Sequence, residues 1–297
     1  MLAEARANGQ WPGDQPTRPP VGVCPFGMRK IRIALVTLAL VAAACSSSER
    51  PSATSTNHPA PAESTSPTPT EAAELSSFPA FSREELIAMS EPVRVRAAEG
   101  VRIAGRLFGS GDVVLSHMGT GDQSQWLEFA GQLAEEGYLA MTYNRRGSCP
   151  GGELGCSTGT DDGDGWRDLT FLVEEARAVG AQRVVVGGAS LGAMESLYAL
   201  SHGLDADGLV WVAGIDLYNG VPVSEQVADV RVPKLLMSGD ADEEPADLLE
   251  VFEADAPPPL EIVRLDTGEH GTDILAYAPV AVADEFREAV VEFLETI

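Results

Sequence analysis

The chain has 297 residues, with 45 acidic against 20 basic side chains and a formal net charge of −25 at pH 7. That balance argues against a nucleic-acid-binding role, because an acidic surface repels the phosphate backbone, and it carries no information about fold. About 215 residues from Phe81 onward look able to fold, enough for one sizeable core and short for two ordinary domains.

Taken in chain order, residues 1–27 carry Pro and Gly and read as a non-structural extension. Residues 28–45, MRKIRIALVTLALVAAAC, join a basic start (Arg29, Lys30, Arg32) to an apolar stretch from Ile33 to Ala44, too short for a comfortable membrane span. Ala42, Ala43 and Ala44 then lead into Cys45, an ending that resembles a bacterial lipoprotein signal. The resemblance implies loss of residues 28–44, a lipid on Cys45, and an exported protein attached to the outer face of the cell membrane. Residues 45–80 are a Ser/Thr/Pro/Ala run that cannot bury enough surface to offset its ordering entropy, which predicts a disordered tether. The folded domain is predicted to span 81–297.

Within it, residues 93–97 and 101–107 alternate in polarity around Glu99-Gly100, a predicted antiparallel hairpin. Short apolar runs follow at 112–116, 138–143, 183–187, 208–213, 234–238 and 261–265. Helical spacing marks the segments between them, at 125–136, 166–179, 191–202 and 245–253, and a final helix at 282–295. Buried strands alternating with amphipathic helices predict an α/β domain: three layers, with a mostly parallel twisted sheet of about eight strands covered on both faces. Cys149 and Cys156 bracket a Gly-rich loop, and export makes a disulfide there plausible. Two thiols with no nearby His do not make a metal site, and no cofactor is expected.

The chemistry concentrates at VVVGGASLGAMESLYAL, a strand, a Gly-flanked turn and a helix, with Gly188, Ser190 and Gly192 in G-x-S-x-G spacing. A serine hydroxyl needs a base. Of four His residues, His58 lies in the tether, His202 ends the helix behind the turn, and His117 closes the strand 112–116. His270, in a Gly-rich loop after the last strand, is the base by elimination and by position. The acid is sought after a late strand, where Asp240, Asp242, Glu243 and Glu244 are all available.

These residues resemble the α/β-hydrolase superfamily over nearly the whole folded part. VVLSHMGTGDQSQWLEFAGQLAEEGYLAMTYNRRG is similar to its run from the oxyanion strand to the next strand, GASLGA to its nucleophile elbow, SGDADEEP to its Gly-x-x-Asp-x-x-x-Pro stretch, and EHG to its catalytic His-Gly. The resemblance implies a triad of Ser190, Asp242 and His270, with Asp242 preferred to Asp240, and an oxyanion hole from the backbone N–H groups of Met118 and Leu191. Met118, Asn144 and Ala193 depart from the family's usual Gly, Asp and Gly. Only about twenty residues separate 213 from 233, so no lid domain is expected, a shape similar to the dienelactone-hydrolase branch, whose usual Cys nucleophile is here Ser190. Trp211, Tyr218 and Met118 are candidates to line the acyl site, with core packing favoured for Trp211. The activity implied is hydrolysis of small-molecule carboxylic esters or thioesters through an acyl-enzyme. The alternatives are a non-catalytic binding or scaffold lipoprotein of the same fold, and a serine peptidase.

Overall fold

The computed structural model describes residues 75–297 other than 110–112, 118 and 120. The expected extension, signal segment, Cys45 and most of the tether therefore lie outside the described residues, as does Met118. The chain makes contacts earlier than the predicted boundary at residue 80. Ser76 and Ser77 donate to the Asp284 carboxylate, and Pro79 accepts from Gln132 Nε2 at 2.9 Å. Hydroxyl and amide donors meeting a carboxylate tie down a stretch that composition alone marks as unfolded.

Eight strands form one sheet in the order β1-β2-β4-β3-β5-β6-β7-β8. They are β1 (Ser90–Arg96), β2 (Arg102–Phe108), β3 (Val113–Ser116), β4 (Ala140–Tyr143), β5 (Val185–Ala189), β6 (Gly208–Val212), β7 (Lys234–Gly239) and β8 (Leu260–Leu265). The first two make the antiparallel hairpin, and β2 is antiparallel to β4; every pairing from β4 to β8 is parallel. At the hairpin turn Glu99 and Gly100 both take positive φ, 56° and 78°, and Gly100 meets that demand without strain.

The strands read as unbroken apolar runs because both faces are covered. Val114, Val186, Leu209, Trp211 and Leu236 face one core with α3 (Asp168–Ala178), α4 (Leu191–Ser201) and α5 (Glu243–Asp255). Their alternates Val113, Leu115, Val185, Val210, Val212, Leu235 and Met237 face a second core with α2 (Leu127–Glu135) and α7 (Val280–Thr296). The result is the three-layer α/β sandwich expected. Two short helices that the spacing did not predict, α1 (Arg83–Ala88) and α6 (Asp273–Tyr277), complete the chain. α1 is set by a capping box in which Ser82 and Glu85 bond each other's backbone N–H. Between β6 and β7 the chain forms a two-residue bridge, Tyr218 with Val221, and one 3-10 turn, Val227–Asp229, so no lid is built there.

Lys234, the only lysine beyond residue 30, begins β7 fully buried, with Nζ donating to the Pro257 carbonyl at 2.6 Å. Burial, helped by Arg231, pushes its pKa down to about 8. Between pH 8 and 10 the unfolded chain keeps a proton that the folded one releases, so stability rises with pH in this window, by about 3 kcal/mol at most. Above about pH 10 the buried phenols of Tyr143 and Tyr218, both pushed up by burial, reverse the slope. Lys234→Met is expected to flatten the rise, measured by urea unfolding at pH 7, 8, 9 and 10.

Candidate active site

In a parallel sheet the loops that follow the strands gather at one edge, so residues just beyond β5, β7 and β8 become neighbours. Ser190 stands between β5 and α4 with φ 52° and ψ −118°, a conformation costly for any residue with a side chain. The turn is that tight because its flanks cannot carry a Cβ. One on Gly188 would fall 2.7 Å from the Gly192 carbonyl carbon, and one on Gly192 would fall 2.6 Å from Ser116 O. Leu191, Gly192 and Ala193 open α4, where first-turn N–H groups have no intrahelical acceptor and the helix dipole is positive.

Asp242 stands at the residue before α5, after β7, and His270 lies in the loop after β8. His270 Nδ1 and Asp242 Oδ2 are 2.7 Å apart. A carboxylate only accepts, so in this contact Nδ1 is the donor. The Asp242 side chain is 16% exposed and the His270 ring 37%. Asp240, two residues earlier, is exposed, and its N–H donates to the Leu265 carbonyl, a loop role. The structure thus brings Asp242 and His270 together; among the described residues no hydrogen bond joins Ser190 to His270. In unliganded sites such bonds are often long and tighten when substrate binds. Among the described residues no cluster of His, Cys, Asp and Glu is placed to hold a metal ion.

Neither a protein-family model nor a curated protein matches the chain. Solved structures do. The chain is similar to an esterase of Pyrococcus furiosus, with TM-score 0.58 and 18% identity over 73% of this chain and 94% of the other. It is similar to a membrane phospholipase A described as a bacterial virulence factor, with TM-score 0.53 and 14% identity over 71% and 87%. It is also similar to an α/β hydrolase from Sphaerobacter thermophilus, with TM-score 0.50 and 20% identity over 67% and 100%. The chain has the α/β-hydrolase fold.

In this hydrolase fold the remaining candidates separate cleanly. His117 is buried, and its Nε2 accepts the Arg145 backbone N–H at 3.1 Å, so that lone pair is occupied and the ring orders a loop instead of serving as base. Asn144 takes a structural place: Oδ1 accepts from Gln123 N–H at 3.1 Å and Nδ2 donates to the Leu154 carbonyl at 2.9 Å. Trp211 and Tyr218, candidates to line an acyl site, are both buried in packing. Trp211 is fully buried, edge-on to Phe252, because it points to the α3–α5 side of β6. Tyr218 is buried with its hydroxyl toward Gly163 O and the Glu195 carboxylate.

Cys149 and Cys156 are disulfide-bonded. Ser157, the residue after Cys156, donates its hydroxyl to Asn144 O at 2.6 Å and accepts the Ala104 N–H at 2.9 Å. Closing so short a loop stabilises by about 2–3 kcal/mol in the chain-entropy account. Cys149→Ser/Cys156→Ser is expected to lower the melting temperature by roughly 5–10 °C, read by calorimetry.

What the sequence reading missed is a buried ionic pair, Arg145 with Glu195. Burial pushes the Glu195 carboxyl upward against the attraction of Arg145, while on Arg145 the neighbouring carboxylates outweigh burial and keep the charge. Guanidinium does not deprotonate, so Arg145 keeps its charge beside the Glu195 carboxyl. Its only signal in the sequence is a lone acid inside the otherwise apolar stretch of α4.

Proposed function

We propose that this chain is a serine hydrolase of carboxylic esters or thioesters, exported and held at the membrane by a lipid on Cys45. The observation that carries the reading is the 2.7 Å contact between His270 and Asp242, made at the same sheet edge as the strained Ser190 turn. Similarity to an esterase and a phospholipase supports ester chemistry on this fold.

In this reading Ser190 Oγ attacks the acyl carbonyl as His270 Nε2 takes its proton, and the imidazolium is stabilised by Asp242. The developing oxyanion is met by the Leu191 and Met118 N–H groups. His270 then protonates the leaving alcohol or thiol. In the second half, His270 takes a proton from water, water attacks the acyl-serine, and Ser190 recovers its proton as the acid leaves. With no lid between β6 and β7, short or solvent-accessible esters suit the site better than deeply enclosed lipids.

A binding role without catalysis is the second reading, favoured by the missing hydrogen bond between Ser190 and His270. Purified protein separates the two: hydrolysis of p-nitrophenyl acetate and covalent capture of a fluorophosphonate probe support the enzyme, and silence in both supports the scaffold. Mass spectrometry of the N-terminus extracted from membranes tests Cys45, with an unmodified cysteine counting against the anchor.

A further inference from the structure

Two buried arginine–carboxylate pairs stand side by side after β4, and their surroundings differ. Arg146 donates Nε and Nη2 to the two oxygens of Asp168, at 2.9 and 2.8 Å, tying the loop to the start of α3. Arg145 donates Nε and Nη2 to the two oxygens of Glu195, at 2.8 and 2.7 Å, and Nη2 also to Asp161 at 2.9 Å. Glu195 is fully buried on α4, the helix that begins immediately after Ser190. Gly165 leaves the space its carboxylate occupies.

The Arg145–Glu195 pair also reaches the end of β3. Glu195 Oε2 lies 3.5 Å from Ser116 Oγ, the last residue of that strand. The Arg145 backbone N–H holds His117 Nε2, the next residue. The Ser116 carbonyl packs against Gly192 and accepts the Trp126 indole N–H at 2.8 Å. Arg145 is therefore bonded through its guanidinium to the helix that supplies the Leu191 N–H and through its backbone N–H to His117, while Ser116 Oγ lies beside the Glu195 carboxylate.

Stability alone is a poor reason to keep such a pair, since a well-packed apolar replacement is often as stable. A bidentate guanidinium–carboxylate fork does fix distance and angle. We propose that Glu195 and Arg145 are positioning residues that set the end of β3 against α4, and so the placement of the Leu191 N–H at the nucleophile turn. This rests on Ser190 being the nucleophile.

The test compares Glu195→Gln with Asp168→Asn, which breaks the neighbouring pair bonded to the start of α3 instead of to α4. Melting temperature, kcat and KM on p-nitrophenyl acetate, inhibition by a trifluoromethyl ketone, and the 15N NMR tautomer of His117 are measured on each full chain. Both variants are expected to melt lower. Only Glu195→Gln is expected to lose kcat, about 10–100-fold with KM within about twofold, and to bind the ketone weaker in parallel, because donors off by a fraction of an ångström lose mainly transition-state stabilisation. Equal kcat losses in the two variants would overturn the proposal, as would a kcat loss with ketone affinity intact. Should Glu195→Gln not fold, Ser116→Ala keeps both charges paired and is expected to lower kcat about threefold or more at near-normal melting temperature; unchanged kcat there counts against the proposal. The NMR arm needs no activity: His117 is expected to keep Nε2 unprotonated in wild type and Asp168→Asn and to show mixed tautomers in Glu195→Gln. A wild type without activity would reject the nucleophile reading on which the proposal rests, whereas an active wild type whose Glu195→Gln variant keeps its kcat would reject the proposal alone.

Discussion

Ser190→Ala is expected to cut ester turnover about 10⁶-fold and to abolish fluorophosphonate labelling, while leaving the melting temperature within a few degrees of wild type. The size follows from what the hydroxyl does: without it no acyl-enzyme forms, and only binding and oxyanion donors remain to assist water. In a well-characterised serine protease, loss of the nucleophile alone costs about as much as loss of the whole triad. The backbone adds a second, independent expectation. Residue 190 sits at φ 52° and ψ −118°, where alanine is as strained as serine but glycine is not. Ser190→Gly should therefore be equally inactive yet more stable than Ser190→Ala, by about 1 kcal/mol, or roughly 2–4 °C in melting temperature. A glycine variant no more stable than the alanine variant would show that the turn is not under strain. Residual turnover in Ser190→Ala within tenfold of wild type would place the chemistry elsewhere.

The strands were legible because a sheet covered on both faces demands apolar residues at consecutive positions, and such runs are hard to mistake when turns bound them. The two short helices were not. α1 depends on a Ser82–Glu85 capping box and α6 on a single turn after the His270 loop, neither long enough to show a period. At the candidate site, Ser190 was visible from its glycine neighbours, because the steric demand that shapes the turn is local. The choice between Asp240 and Asp242 was not local. It depends on which carboxylate faces a loop thirty residues further on, and only resemblance to a family favoured Asp242; the structure pairs Asp242 with His270 and leaves Asp240 exposed. The pairing of Arg145 with Glu195 was not legible for the same reason: the lone acid in α4 stands out, but nothing in the two separate segments announces that they meet. Lys234 belongs with them, a lysine at the head of an apolar strand whose burial depends on the Pro257 and Pro259 carbonyls that receive it.

Asp242→Asn is expected to lower kcat by about 10³–10⁴-fold, with Asp240→Asn near wild type. Asparagine keeps the shape but reverses two properties of the contact. An amide offers a donor where the carboxylate offered only acceptors, so it permits the His270 tautomer with the proton on Nε2, and in that tautomer no lone pair is left to receive the Ser190 proton. It also removes the negative charge that stabilises the imidazolium formed during attack. In a buried triad the corresponding change costs about 10⁴. Here the carboxylate is 16% and the ring 37% exposed, so water shares the work of stabilising the cation and the electrostatic part is smaller. The tautomer part is not screened by water, and it sets the lower bound. Rates of both asparagine variants on one ester, together with the rate of fluorophosphonate capture, separate the possibilities. Loss in Asp240→Asn but not in Asp242→Asn would move the acid two residues upstream. Loss in neither would mean that His270 is oriented without a carboxylate, and the triad would have to be abandoned although its 2.7 Å contact is present.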